Sequence, residues 1–260
     1  MKFNDRQEEI LKSLHQLGSV EVEALAQRWS VTTQTVRRDL AEICETGLAM
    51  RTHGGAKRIN TKAVVAYEDR RLKNTLAKRC VAETAANLIP NGASLTLNIG
   101  TTTEMVAEAL RLHNDLTVIS NNINVVQILR ASRLKSLVLI GGEIRLSDCA
   151  VIGEDAIKSI SNFKVDFAII SASSIDIDGS ILDFDQREVS VSRSILENAR
   201  KRILVADVSK FDVPAHFKIC NAKELDYVIL NETPPPSFES ILQAHATKLI
   251  IANDKNAILN

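Results

Sequence analysis

The chain has 260 residues, 45% hydrophobic and 25% charged, with 32 Lys+Arg balanced by 32 Asp+Glu, which excludes disordered and collagen-like chains and leaves room for two packed domains. Its longest apolar runs, such as Ile203–Ala206, span a few residues against the roughly 20 needed to cross a bilayer, so no membrane association is expected. An N-terminus bearing Asp5, Glu8 and Glu9 instead of an apolar core is unlike a secretory signal, and the expected location is the cytoplasm.

In chain order, Ile10, Leu11, Leu14 and Leu17 repeat at helical spacing and stop at Gly18, a residue suited to a helix C-cap. Val22, Leu25, Ala26 and Trp29 form a shorter stripe broken at Ser30-Val31. Thr32 can then cap a third helix through Val36, Leu40 and Ile43 to Gly47. Two short helices around a tight turn read as helix-turn-helix. The third helix leaves Thr33, Gln34, Thr35, Arg37 and Arg38 on or near its other face, residue types that reach phosphates and base edges. Leu48–Arg51 and Ala56–Ile59 flank His53-Gly54-Gly55, a hairpin with glycines at its turn, so a winged helix is expected.

Zero net charge hides an uneven distribution. Residues 1–23 carry three basic and five acidic groups, 24–60 six and three, and 61–80 six and two. Positive charge therefore concentrates between 24 and 80, as contact with a polyanion requires. Periodicity lapses in 57–75. The expected organisation is a DNA-binding domain over 1–58, a linker over 59–75 and an effector-binding and oligomerisation domain over 76–260.

From Ser94 onward, short apolar runs (94–97, 116–119, 137–140, 167–170, 203–206, 227–230, 249–252) alternate with helical stretches, which predicts a parallel sheet covered on both faces. Pro234-Pro235-Pro236 reads as a rigid connector before a last helix and strand. The four cysteines (Cys44, Cys80, Cys149, Cys220) lie tens of residues apart with no CxxC pair, so neither a metal nor a disulfide framework is expected, and no cofactor is implied.

Asn98-Ile99-Gly100-Thr101-Thr102-Thr103 follows a strand and opens a helix, a turn that aims backbone N–H groups and hydroxyls at an anion. Further polar loops follow apolar runs: Ser120-Asn121-Asn122, Gly141-Gly142-Glu143, Asp176 to Asp185, and Asp207-Val208-Ser209-Lys210. In open α/β sheets ligands bind outside the carboxyl ends of the strands, so these loops are expected to share one rim. Lys210 would supply charge to a phosphate, Gly100 to Thr102 would hold its oxygens, and Asp176, Asp178 and Glu188 would accept polyol hydroxyls. A small phosphorylated polyol fits this inventory.

The stretch Val31-Thr32-Thr33-Gln34-Thr35-Val36-Arg37-Arg38-Asp39-Leu40, with Gly47-Leu48 and Arg51-Thr52-His53-Gly54-Gly55-Ala56, closely resembles the N-terminal signature of DeoR-type bacterial transcriptional regulators. The resemblance implies that the third helix and wing bind double-stranded operator DNA, with contact roles for Thr33, Gln34, Thr35, Arg37, Arg38, Arg51 and His53. The charge of Lys57 and Arg58 adds phosphate contacts from the wing. Asp39 is expected to orient an arginine or cap structure, because an unpaired carboxylate would repel phosphate.

The second unit resembles the effector domain of the same family, related in fold to ribose-5-phosphate isomerase. Its motifs here are Gly100-Thr101-Thr102, Ser120-Asn121-Asn122, Gly141-Gly142-Glu143, Asp176-Ile177-Asp178-Gly179-Ser180, Phe184-Asp185 with Glu188, and Asp207-Val208-Ser209-Lys210-Phe211. Within the family it is most similar to the glycerol 3-phosphate repressor group. That group usually has Asp at the position of Asn98 and glycines at those of Ser171 and Ser174, differences that bear on which phosphate ester fits.

The resemblance implies a repressor of a carbohydrate or polyol catabolic operon, released from its operator by a phosphorylated sugar or polyol. It also implies a homodimer or homotetramer, since a symmetric oligomer reads paired half-sites. Two alternatives stand beside it. One is a sugar-phosphate isomerase using Glu188 or Asp178 as general base and Lys210 for charge stabilisation, which would have no need of residues 1–58. The other is a transcriptional activator, because binding DNA does not set the sign of regulation.

Overall fold

The computed structural model describes residues 3–17, 19–45, 49–52, 54–58, 62–211 and 213–252. The chain divides into two compact units, Met1–Ala66 and Tyr67–Asn260, with the division inside the 59–75 segment. Gly47, Leu48, His53 and Ile59 lie outside the described residues.

The first unit contains α1 (Asp5–Leu17), β1 (Ser19–Glu21), α2 (Val22–Trp29), α3 (Thr33–Glu45), β2 (Ala49–Arg51) and β3 (Gly55–Arg58). The three apolar stripes meet in one core of Ile10, Leu14, Leu25, Val36, Leu40 and Ile43, where each large side chain contributes about 1.5–3 kcal/mol by leaving water. Ser30 ends α2 in the left-handed region at φ +52, and the Val31 N–H turns back to the Ala26 carbonyl at 3.1 Å. Thr32 Oγ1 then accepts from the Thr35 N–H at 3.2 Å, the cap expected of it.

The wing is larger than the sequence indicates. β1 joins it as a third antiparallel strand, in the order β1-β3-β2, and three residues are too short for an alternation to declare itself. Gly55 makes this pairing possible: a Cβ there would lie 1.9 Å from the Val20 carbonyl oxygen.

The second unit opens with α5 (Thr75–Ala86), reached from α4 (Lys62–Leu72), a helix that starts in the first unit. There follow β4 (Ser94–Leu97), α6 (Thr101–Leu110), β5 (Leu116–Ser120), α7 (Ile123–Leu129), β6 (Leu134–Leu139), β7 (Glu143–Arg145), β8 (Ala150–Ile152), α8 (Glu154–Ile160), β9 (Val165–Ile170), β10 (Ser174–Ile175), β11 (Ser180–Asp183), α9 (Gln186–Glu197), β12 (Ala199–Ala206), β13 (Phe217–Asn221), β14 (Tyr227–Leu230), α10 (Pro236–Ala244) and β15 (Lys248–Ile251).

Seven of these strands form one parallel sheet in the order β15-β14-β12-β9-β4-β5-β6. Alternation along the central strands sends Ile169, Ile203 and Val205 to one buried layer and Ile170, Leu204 and Ala206 to the other. Both faces are covered, which is why the strands read as unbroken apolar runs. The chain runs from β4 outward through β5 to β6, then returns to place β9 on the other side of β4 and continues to β12. The β4/β9 boundary is thus the topological switch point, where the loops diverge and leave a crevice.

Candidate functional site

On α3, Thr33, Gln34, Arg37 and Arg38 are exposed beside one another, opposite the buried Val36, Leu40 and Ile43. Arg51 Nη2 donates to the Arg37 carbonyl at 3.2 Å, fixing β2 of the wing to the middle of the helix. Arg38 Nε stands 3.4 Å from Glu42 with its side chain 83% exposed, a pairing weak enough to yield to a phosphate. Thr35 is placed differently from its neighbours: half-buried, with its hydroxyl 2.8 Å from that of Thr32, it belongs to the helix cap. Asp39 is 5% exposed and accepts from Arg6 Nε at 2.6 Å. It orients an arginine, as expected, and that arginine lies on α1. Lys57 sits on β3 between Ser19 of β1 and Met50 of β2.

In the second unit the loops after β4, β9 and β12 converge on a cleft at the switch point, lined by Gly100, Thr101, Thr102, Ser171, Ser173, Glu188 and Lys210 together with Tyr67, Arg70, Asp148 and Asp183. No side chain caps α6, so the partial positive charge of its N-terminus faces the cleft. Gly100 takes φ +138, a conformation L side chains rarely adopt, and a Cβ there would come within 2.1 Å of Ser171 Oγ. Asn98 lies beneath the turn: its Nδ2 donates to Ser192 Oγ at 2.7 Å, while Oδ1 has no hydrogen-bond partner among the described residues.

Arg70, Lys73, Lys78 and Lys210 gather in an adjoining cleft that shares Arg70, Ser173 and Lys210 with the first. Lys78 is 3% exposed and donates to the Arg70 carbonyl. Burial first, then the nearby Lys210 and Arg70 charges acting against Asp207, push its ammonium down to about 8. Burial likewise lowers Lys210, with Arg70 and Lys73 adding to the effect and Asp207 opposing it. Part of the positive charge of 61–80 therefore lines this cleft.

The switch-point cleft is also lined by the carboxylates of Asp148, Asp183 and Glu188, and Asp148 and Glu188 are tied through Arg145, a residue on β7 that no motif or spacing singles out. Its guanidinium donates to Asp148 at 2.6 Å, Asp185 at 2.9 Å and Glu188 at 2.7 Å. Asp185 also accepts from Arg187 at 3.0 Å, so two guanidiniums serve three carboxylates. Burial and the Asp183 charge push Glu188 up to about 8 against the pull of Arg145, so Glu188 holds a proton at neutral pH and can donate as well as accept.

The remaining motif residues lie elsewhere. Ser120, Asn121 and Asn122 are buried one strand away, where Ser120 Oγ donates to the Leu97 carbonyl, Asn121 Nδ2 to the Val151 carbonyl, and Asn122 caps α7 through the Asn124 N–H. Gly141 and Gly142 lead into the β7–β8 hairpin. Asp176 and Asp178 form the turn between β10 and β11, Asp178 accepting from the Ser180 N–H at 2.8 Å. Those strands pair in a separate sheet with β13, which holds the turn away from the switch point. The expectation of one shared rim thus holds for the β4, β9 and β12 loops and fails for these three motifs.

Among the described residues, no cluster of His, Cys, Asp or Glu could hold a metal ion, no helix is long and apolar enough to cross a membrane, and no two cysteines form a disulfide.

A winged helix carried on the same chain as an α/β domain with a cleft lined by both cations and carboxylates defines a ligand-responsive DNA-binding regulator. Residues 6–62 match the DeoR-like helix-turn-helix domain and residues 73–232 the DeoR C terminal sensor domain. The glycerol-3-phosphate regulon repressor of Haemophilus influenzae is 39% identical over 255 residues, covering 98% of this chain and 99% of that protein. Its counterpart in Escherichia coli K12 is 39% identical over 249 residues, covering 96% and 99%. The chain belongs to the DeoR family of transcriptional regulators. Among solved structures, ribose 5-phosphate isomerase A of Methanocaldococcus jannaschii aligns over 54% of this chain and 55% of that one, at 16% identity and a TM-score of 0.39.

Proposed function

We propose that the protein represses a carbohydrate or polyol catabolic operon in the cytoplasm, as a homodimer or homotetramer, and leaves its operator when a phosphate ester fills the cleft at the β4/β9 switch point. The observation that carries this reading is the mixed lining of the cleft, which combines the uncapped start of α6, Lys210 and Arg70 with the carboxyl groups of Asp148, Asp183 and Glu188. A phosphate dianion matches the first set and the hydroxyls of a short polyol the second. Thr33, Gln34, Arg37, Arg38, Arg51, His53 and Lys57 meet DNA in this reading, with Thr35 setting the start of the helix.

Glycerol 3-phosphate is the first candidate effector, from the 39% identical relatives. The neutral amide of Asn98 below the turn and the hydroxyl of Ser171 against Gly100 leave a differently hydroxylated phosphate ester as its competitor. Calorimetry of the full chain against a panel of phosphate esters tests this. Binding of another ester with none of glycerol 3-phosphate up to millimolar concentration reassigns the effector, and no binding of any ester removes the cleft from the mechanism.

A further inference from the structure

We infer that α4 transmits occupancy of the cleft to the DNA-binding unit, with the Tyr67 hydroxyl latching the helix to the sensor; this rests on the repressor reading above. α4 runs from Lys62 to Leu72 and so includes residues of both units. Its hold on the sensor is narrow. Of residues 67–72 Tyr67 alone is buried, and Leu72 is 73% exposed, the condition for a helix that detaches locally without unfolding the domain.

The latch is built from four side chains. Tyr67 OH lies 2.8 Å from both carboxylate oxygens of Glu104. Asn122 and Asn124 donate to the same carboxylate at 3.1 and 3.0 Å, and Asn124 also donates to the Tyr67 oxygen at 2.9 Å. Glu104 lies in the first turn of α6, the turn whose N–H groups face the cleft, so an anion at the cleft and Tyr67 act on one helical turn. The second tie runs through Lys210. Asn74, just after α4, donates to Asp207 at 3.0 Å and Ser209 at 3.1 Å on the loop bearing Lys210, while Lys78 donates to the Arg70 carbonyl.

The side chains of Tyr67 and Arg70, one turn apart on α4, complete the wall of the cleft. Among the described residues, Lys73, Lys78 and Lys210 share the adjoining cleft with the single carboxylate of Asp207, and an anion added among them strengthens that cluster and favours the docked helix. This supplies the differential interaction with two states that any ligand-driven change requires.

The test is anisotropy of a labelled operator duplex with the full chain, unmodified and as Tyr67→Phe, titrated with glycerol 3-phosphate. Saturating ester is expected to weaken operator binding at least about fivefold in the unmodified chain and less than about twofold in Tyr67→Phe, with operator affinity in its absence retained. Full release at saturation in the variant, with only a shifted midpoint, makes Tyr67 a wall of the cleft alone and overturns the inference. If glycerol 3-phosphate releases neither chain, the effector assignment fails, and hydrogen exchange of the unmodified chain decides the inference. Operator duplex must then speed exchange of the amides of residues 67–72 by at least about threefold, and unchanged exchange overturns it.

Discussion

Arg145 and Glu188 illustrate how a site depends on a residue with no local signature. Arg145, 19% exposed at its side chain, is the cation shared by Asp148, Asp185 and Glu188. Arg145→Met should therefore cost about 3 kcal/mol or more in urea unfolding, most of it from the buried Asp148 carboxylate losing its counter-ion. Glu188 carries a proton in the folded chain up to about pH 8 and in the unfolded chain only up to its ordinary 4.5. Between those values the folded state binds more protons, so its contribution is complete below pH 4.5 and is lost as pH rises to 8. The urea midpoint should fall across that window, and Glu188→Gln, a neutral isostere, should flatten the slope. A slope identical in both chains would show that Glu188 is ionised throughout.

At the scale of elements, α3 separates its two tasks by face. The buried stripe of Val36, Leu40 and Ile43 holds the helix in the unit, while Arg37 and Arg38 project from the other side. Arg37→Ala or Arg38→Ala should weaken operator binding by about 1–3 kcal/mol where the arginine reads a base, with the melting temperature unchanged. Gel shifts at matched salt measure it, and unaltered affinity in both variants excludes α3 as the recognition element. The wing contributes through charge: Lys57→Ala combined with Arg58→Ala should make the dependence of log affinity on log salt shallower by about 0.9 for each phosphate that those side chains neutralise.

For the whole molecule, two sites on one chain need only a modest coupling to make a switch. Lys210→Ala or Thr101→Val removes a group from the cleft and leaves the first unit untouched. Each variant should bind operator normally and stay bound when glycerol 3-phosphate is added, a super-repressor in a release assay. Normal release by both would place the effector somewhere other than this cleft.

Much of this protein was legible in its sequence because the relevant forces are local. The stripe from Ile10 to Leu17, the turn at Ser30 and the cap at Thr32 are set by helical period and backbone preference within a few residues. The central strands announce themselves as apolar runs because each is buried on both faces. Which loops meet was decided by strand order alone. Ser120-Asn121-Asn122 and Gly100-Thr101-Thr102 look equally suited to a ligand. Only the insertion of β9 beside β4 brings Ser171, Glu188 and Lys210 to the second motif and leaves the first as internal support. The pairing of Arg145 with Asp185 and Glu188 and the docking of Tyr67 on Glu104 follow the same logic, joining residues roughly forty positions apart. Local propensity carries no information about such partners, since they become neighbours only when the buried area of the whole sheet selects one arrangement of its strands.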